Sequence, residues 1–243
     1  AFKKSKKDTV IVTDSIADIN KEYLQEHDVA VIPLNITIGD VGYYDKLTIN
    51  NEILFDMIDA GVEYPTTSTP TIKYINDLFS KLLLHYKHII VILVADKLSA
   101  THRVVKIEAD KLVEKGKHIH VIDSYNNSVS QGLLVRKAVD LLESGSKAQD
   151  IVEAIEAMKH KTEILVCLET FKYAMRGGRV PKMVGKIGMA IGLRPIMSLA
   201  PDGGGTAFGF AFSQKGITKK ILKYVKNDMD KQGISSYAIV NCQ

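Results

Sequence analysis

HIIVILVADKLSATHRVVKIEADKLVEKGKHIHVIDS, residues 88–124, is the stretch on which the fold turns. Residues 88–94 form a short run of Ile, Val and Leu, the pattern of a strand buried on both faces. A loop over residues 95–98 follows, and a helix is expected over about residues 100–115, closed by Gly116. Residues 119–122 are the next strand, ending in Asp123-Ser124. A further helix is expected over about Ser128–Glu143, closed near Gly145. Apolar strands alternating with helices of this length define βαβ units and a parallel sheet covered on both faces. Ligands of such sheets sit at the carboxyl ends of the strands.

Working outward, the same alternation begins upstream at Thr9-Val10-Ile11-Val12-Thr13, which ends in Asp14-Ser15 before an amphipathic stretch around Ile19, Tyr23 and Leu24. Residues 29–38 read as a second strand broken by Pro33, with Gly39-Asp40 as a turn and Val41–Tyr44 as hairpin partner. Over residues 70–86, Ile72, Ile75, Leu78, Phe79, Leu82 and Leu83 recur at helical spacing. Thr69 suits the N-cap of that helix and Pro70 its first position. After about Lys161 the pattern changes. A strand is expected over 163–168, a short helix over 170–176 and an apolar helix over 180–193. Strands at Arg194–Leu199 and 207–212 flank a Pro-Asp-Gly turn, a helix spans 215–231, and residues 237–240 begin one more strand. The expected class is α/β. Residues 1–161 form a domain with a mostly parallel sheet flanked by helices, and residues 162–243 a smaller α+β domain with an antiparallel sheet.

Composition excludes several classes. A chain of 243 residues makes one or two domains and can bury about 70% of its unfolded surface. With 46% hydrophobic and 25% charged residues it has the means to build a core and is not a disordered chain. No apolar run reaches the roughly 18 residues of a membrane span, and no secretory segment follows the N-terminal lysines. Cys167 and Cys242 fit no metal spacing and are too few for a disulfide framework, so a reducing cytoplasm is the expected location. The net charge of +4 rests on Lys3, Lys4, Lys6 and Lys7, and no aromatic residues interleave with a basic stripe. Nucleic acid is therefore not an expected partner. His118 and His120 share a strand face without a third ligand, so no metal is expected either.

Polar residues at strand ends are the candidates for chemistry. Pro65-Thr66-Thr67-Ser68-Thr69-Pro70 places four hydroxyls at an expected helix entrance, where free N–H groups and the helix dipole favour an anion. Leu98-Ser99-Ala100-Thr101 repeats that arrangement, and plain helix capping explains either site alone. Asp14-Ser15 and Asp123-Ser124 read first as Asx-turns that end strands, and alternatively fit a phosphoryl-transfer or hydrolase enzyme with Asp14 as nucleophile. Gly203-Gly204-Gly205 lacks the Lys-Ser/Thr of a phosphate loop and reads as a mobile turn. Gly185, Gly188 and Gly192 share one helical face beside Met183, Ile187, Met189 and Ile191. Each costs a helix roughly 1 kcal/mol against alanine, so close backbone packing or a ligand must compensate.

Taken in order, Ile11-Val12-Thr13-Asp14-Ser15-Ile16-Ala17-Asp18, Pro65-Thr66-Thr67-Ser68-Thr69-Pro70, Leu98-Ser99-Ala100-Thr101, Val121-Ile122-Asp123-Ser124, Gly177-Gly178-Arg179-Val180 and Gly192-Leu193-Arg194-Pro195-Ile196 resemble the DegV family of bacterial fatty-acid-binding proteins. The resemblance implies two α/β domains with a long-chain fatty acid between them and no further cofactor. It implies a binding protein rather than an enzyme, which in some bacteria presents the acid to a separate fatty acid kinase. By motif position the carboxylate falls to Thr67 and Ser99. Ser68, Thr101, Asp14, Ser15, Ser124 and Arg179 are additional head-group candidates, and Met183, Ile187, Gly188, Met189 and Ile191 would line the acyl tail. The chain departs from the pattern at Ala100, where glycine is usual, and in residues 210–214, which lack an expected basic residue. It also ends at Gln243, before an expected His- and Gly-containing motif, as a truncated chain would.

Overall fold

The computed structural model describes residues 8–168, 177–178 and 193–241. β1 (Thr9–Asp14) and α1 (Lys21–Glu26) lead into β2 (Ala30–Ile32). Pro33 has no N–H to donate, so the ladder stops there. The chain then enters a small second sheet through β3 (Asn35–Ile38) and β4 (Val41–Tyr44), the hairpin expected around Gly39-Asp40. α2 (Asn51–Asp59) and β5 (Thr66–Ser68) follow, and β5 pairs antiparallel with β3. α3 (Ile72–Leu82) returns to the first sheet, which continues as β6 (His88–Leu93), α4 (Thr101–Val113), β7 (His118–Asp123), α5 (Ser128–Glu143) and α6 (Ala148–Met158). The first sheet is parallel throughout, in the order β2-β1-β6-β7.

Side-chain alternation along its strands fills two cores. Val10, Val12, Ile89, Val91 and Leu93 face one way, against Ile75, Phe79 and Leu82 of α3 and Val105 and Ala109 of α4. Ile11, Ile90, Ile92 and Ile122 face the other, against Leu134, Val135 and Val139 of α5 and Ile151 and Ile155 of α6. A strand covered on both faces has no polar side, which is why residues 88–94 read as an unbroken apolar run. The small sheet, in the order β4-β3-β5, rests on a much smaller cluster of Ile36, Ile38 and Ile49.

A third sheet follows, antiparallel in the order β10-β9-β8: β8 (Val166–Cys167), β9 (Arg194–Leu199) and β10 (Gly205–Ala211). α7 (Gln214–Gln232) starts at Ser213, whose Oγ accepts from the Gly216 N–H at 3.1 Å, and stops at Gly233, φ +75°. The Tyr224 hydroxyl on α7 donates to Glu163 at 2.6 Å, which pushes its pKa up to about 12. The α/β class with a parallel and an antiparallel sheet therefore stands.

Several local expectations do not. Thr69 is not an N-cap: Thr71 is, its hydroxyl accepting from the Tyr74 N–H at 3.2 Å. Residues 66–68 belong to a strand instead of a helix entrance. The strand expected over 163–168 is paired only at Val166–Cys167. Residues 237–240 form no strand, and Tyr237, Ile239 and Val240 are exposed. Nor is the glycine turn a loose loop. Gly203 is buried, its N–H donates to the Ala200 carbonyl at 2.8 Å, and a Cβ placed there would lie 2.9 Å from Ala95 Cβ and 3.1 Å from Tyr125 Cα. The β9–β10 turn thus sits on the ends of β6 and β7. The helices expected over 170–176 and 180–193, Arg179 and the glycine face with Met183, Ile187, Gly188, Met189 and Ile191 lie outside the described residues, as does Cys242.

Candidate functional site

The carboxyl edge of the parallel sheet carries the polar groups the sequence singles out, and they divide into two sets. The first set anchors loops. Asp14 is fully buried. One of its oxygens accepts from the Ile16 N–H (3.0 Å) and Gln131 Nε2 (3.0 Å), the other from the Val94 N–H (2.8 Å). Burial raises its pKa from 3.8 to about 6 in spite of these hydrogen bonds. Ser15 Oγ accepts from the Leu34 N–H at 3.1 Å and bonds the Asp45 carboxylate. Ser124 Oγ donates to the Asn126 carbonyl and accepts from its N–H, while Asp123 Oδ1 accepts from the N–H groups of Asp96 and Tyr125. Asp14, Ser15 and Ser124 are consumed by the loops they terminate, and none lines the pocket described below. An attacking carboxylate needs an open path to its substrate, and buried Asp14 has none.

The second set meets across an open pocket of about 350 Å³, lined by Leu34, residues 67–69 and residues 98–100. Thr67 and Ser99 are both on its wall, with Ser68 beside Thr67. Thr67 arrives there on β5, in register with Ile36, while Asn35 Nδ2 donates to the Thr69 carbonyl at 2.7 Å and fixes the strand's end. Ser99 arrives on the loop between β6 and α4, its N–H bonded to the Ala95 carbonyl at 3.1 Å. Ser99 Oγ accepts from the Thr101 N–H at 3.3 Å and lies 2.8 Å from Thr101 Oγ1. Thr101 itself is fully buried beneath Ser99.

This geometry changes the reason for the site. Only Ser99 stands at a helix entrance, that of α4; Thr67 offers a hydroxyl from a strand. Among the described residues, no Lys or Arg lines the pocket. Lys97, next to Leu98 in sequence, faces Asp202 at 3.8 Å, and Arg103 is held by Asp96 at 2.8 Å. An anionic group here would meet neutral hydroxyl donors and apolar surface from Leu34, Leu98 and Ala100. Leu34 was not singled out by sequence, and Leu98 entered only as the first residue of the Ser99 motif; each lies in the connection that follows a strand, Leu34 after β2 and Leu98 after β6. Among the described residues no group of three or more His, Cys, Asp or Glu could hold a metal ion.

Fold and site together define an α/β protein with a hydroxyl-lined pocket at the carboxyl edge of a parallel sheet. A family model described as "Uncharacterised protein, DegV family" matches residues 8–243, and the chain belongs to the DegV family. A DegV domain-containing protein of Clostridium acetobutylicum is 34% identical over 190 residues, covering 78% of this chain and 67% of the relative. The solved structure of a stearic-acid-binding protein from Eubacterium ventriosum superposes with a TM-score of 0.81 at 26% identity, covering 91% of this chain and 76% of that one. The structure of DegV, a fatty acid binding protein from Bacillus subtilis, gives a TM-score of 0.81 at 25% identity, with 93% and 79% covered. No helix of the described residues is long and apolar enough to cross a membrane.

Proposed function

We propose that this chain binds a long-chain fatty acid without turning it over, holding the carboxylate at the pocket between β5 and the β6–α4 loop. The observation that carries the reading is that Thr67 and Ser99, from separate elements, line one pocket. The solved relatives that bind fatty acids support it. The pocket's volume of about 350 Å³ lies in the range of roughly 300–1,000 Å³ usual for small-molecule sites. Two hydroxyls donating to a charged acceptor orient the head group. The tail supplies the affinity: at about 0.8 kcal/mol per buried CH₂, a palmitoyl-length chain contributes on the order of 10 kcal/mol before the costs of association. In this proposal the chain divides near residue 161 into two domains, the tail runs between them along Met183, Ile187, Gly188, Met189 and Ile191, and Arg179 stands near the head group. Presentation to a fatty acid kinase and a cytoplasmic setting belong to the same proposal.

Mass spectrometry of an organic extract of the purified protein should show a co-purifying fatty acid. Titration of the emptied protein with palmitate should then show binding that the double substitution Thr67→Ala, Ser99→Ala weakens by about 1–3 kcal/mol, the worth of donors to a charged group. Equal affinity in wild type and double variant sinks the assignment of the carboxylate to these hydroxyls.

A further inference from the structure

Thr101 lies under the pocket wall rather than on it, and among the described residues its hydroxyl has one partner, Ser99 Oγ at 2.8 Å. A hydroxyl carries one proton to donate and can accept twice. Two arrangements of the shared proton are open. If Ser99 donated to Thr101, the Thr101 proton would have no acceptor among the described residues in a fully buried position, which buried hydroxyls avoid. If Thr101 donates, its proton is paired. Ser99 Oγ then accepts twice from the same residue, from the Thr101 hydroxyl and from the Thr101 N–H at 3.3 Å. Its acceptor capacity is filled, and its own proton is free to turn toward the pocket that Ser99 lines.

We infer that Thr101 is a positioning residue that makes Ser99 an obligate donor, so that the pocket selects an ionised carboxylate over head groups that must themselves donate. The inference rests on the fatty-acid reading and names the chemical rule by which that site chooses its ligand. The O–H of Thr101, the O–H of Ser99 and the ligand oxygen form a chain in which each hydrogen bond polarises the next. The chain holds negative charge on the ligand without a Lys or Arg in the described wall. A long-chain amine finds no acceptor at Ser99.

The test titrates the full chain with palmitate labelled with carbon-13 at its carboxyl, and with hexadecylamine. Thr101→Val keeps the shape and removes the hydroxyl. It should weaken palmitate binding about three- to tenfold, the range of one lost hydrogen bond. It should also raise the pH at which the bound carboxyl signal titrates and narrow the preference for palmitate over the amine. Thr101→Ser should restore all three readings, and in a Ser99→Ala background Thr101→Val should change none. Wild-type affinity and an unmoved carboxyl titration in Thr101→Val overturn the inference. So does an equal loss in the Ser99→Ala background, which would assign Thr101 to packing alone. Should Thr101→Val not fold, Thr101→Ala is judged by the same readings. Wild type that takes up no palmitate overturns the fatty-acid reading itself, a result distinct from any difference between variants.

Discussion

Replacing Gly203 with alanine combines two penalties at one atom. Gly203 has φ +81°, a left-handed conformation that costs an L-residue about 1–2 kcal/mol. The new Cβ would also lie 2.9 Å from Ala95 Cβ and 3.1 Å from Tyr125 Cα. Neither obstacle is the tip of a flexible side chain, so relief requires the β9–β10 turn to lift from the parallel sheet. Overpacking of this kind costs about 1–3 kcal/mol, and the sum is about 2–5 kcal/mol. Gly145→Ala is the internal control: its φ is +88° and nothing lies within 4 Å of the added Cβ, so it carries the conformational penalty alone. Urea unfolding of both variants isolates the contact by difference. Hydrogen exchange at the Gly203 amide, bonded to the Ala200 carbonyl at 2.8 Å, reports whether the turn has lifted. If Gly203→Ala costs no more than Gly145→Ala and leaves exchange unchanged, the turn does not rest on Ala95 and Tyr125.

Three further outcomes are expected. Asp14 has a folded pKa raised from 3.8 to about 6, so its contribution to stability is full below about pH 4 and is lost as pH rises through 6, a change of about 3 kcal/mol. Asp14→Asn should flatten that part of the pH–stability curve, as measured by chemical denaturation from pH 4 to pH 7, and an unchanged slope would assign the dependence elsewhere. Thr71→Ala should cost about 1 kcal/mol as a lost cap while Thr69→Ala leaves α3 unaffected, and thermal unfolding that ranks them the other way would return the cap to Thr69. Gly188→Leu should shorten the longest fatty acid bound if its helix borders the tail, whereas earlier unfolding with an unaltered chain-length preference would give the glycines a packing role.

The parallel sheet was legible because its strands are buried on both faces and its helices carry one apolar stripe. Residues 88–94 and the Ile75, Phe79, Leu82 spacing each have a single physical reading. β5 was not legible, because Thr66, Thr67 and Ser68 are all exposed and offer no alternation; their state is set by pairing with Asn35, Ile36 and Thr37, some thirty residues away. Thr69-Pro70 satisfies the local rules for a helix start, yet Thr71 takes the cap two residues later, because residue 69 is bound to Asn35. α2 and α6 were not read from the sequence: α2 buries no residue, and α6 buries only Ala148, Ile151 and Ile155. At the site, chain order and motif singled out Thr67 and Ser99, which line the pocket, together with Asp14, Ser15 and Ser124, whose hydrogen bonds hold their own loops.

Thr67 and Ser99 belong to mechanical units of unequal strength. Ser99 follows β6, a strand with neighbours on both edges and a core on both faces. Thr67 lies on an edge strand of the small sheet, whose buried cluster is three isoleucines. Such a sheet can open on its own, at a free energy well below that of global unfolding. In the proposed binding mode, the Thr67 half of the clasp lets go while the Ser99 half stays fixed, and exchange of the ligand needs no disruption of the main sheet. The rate of release in that mode would follow from Ile36, Ile38 and Ile49, none of which lines the pocket.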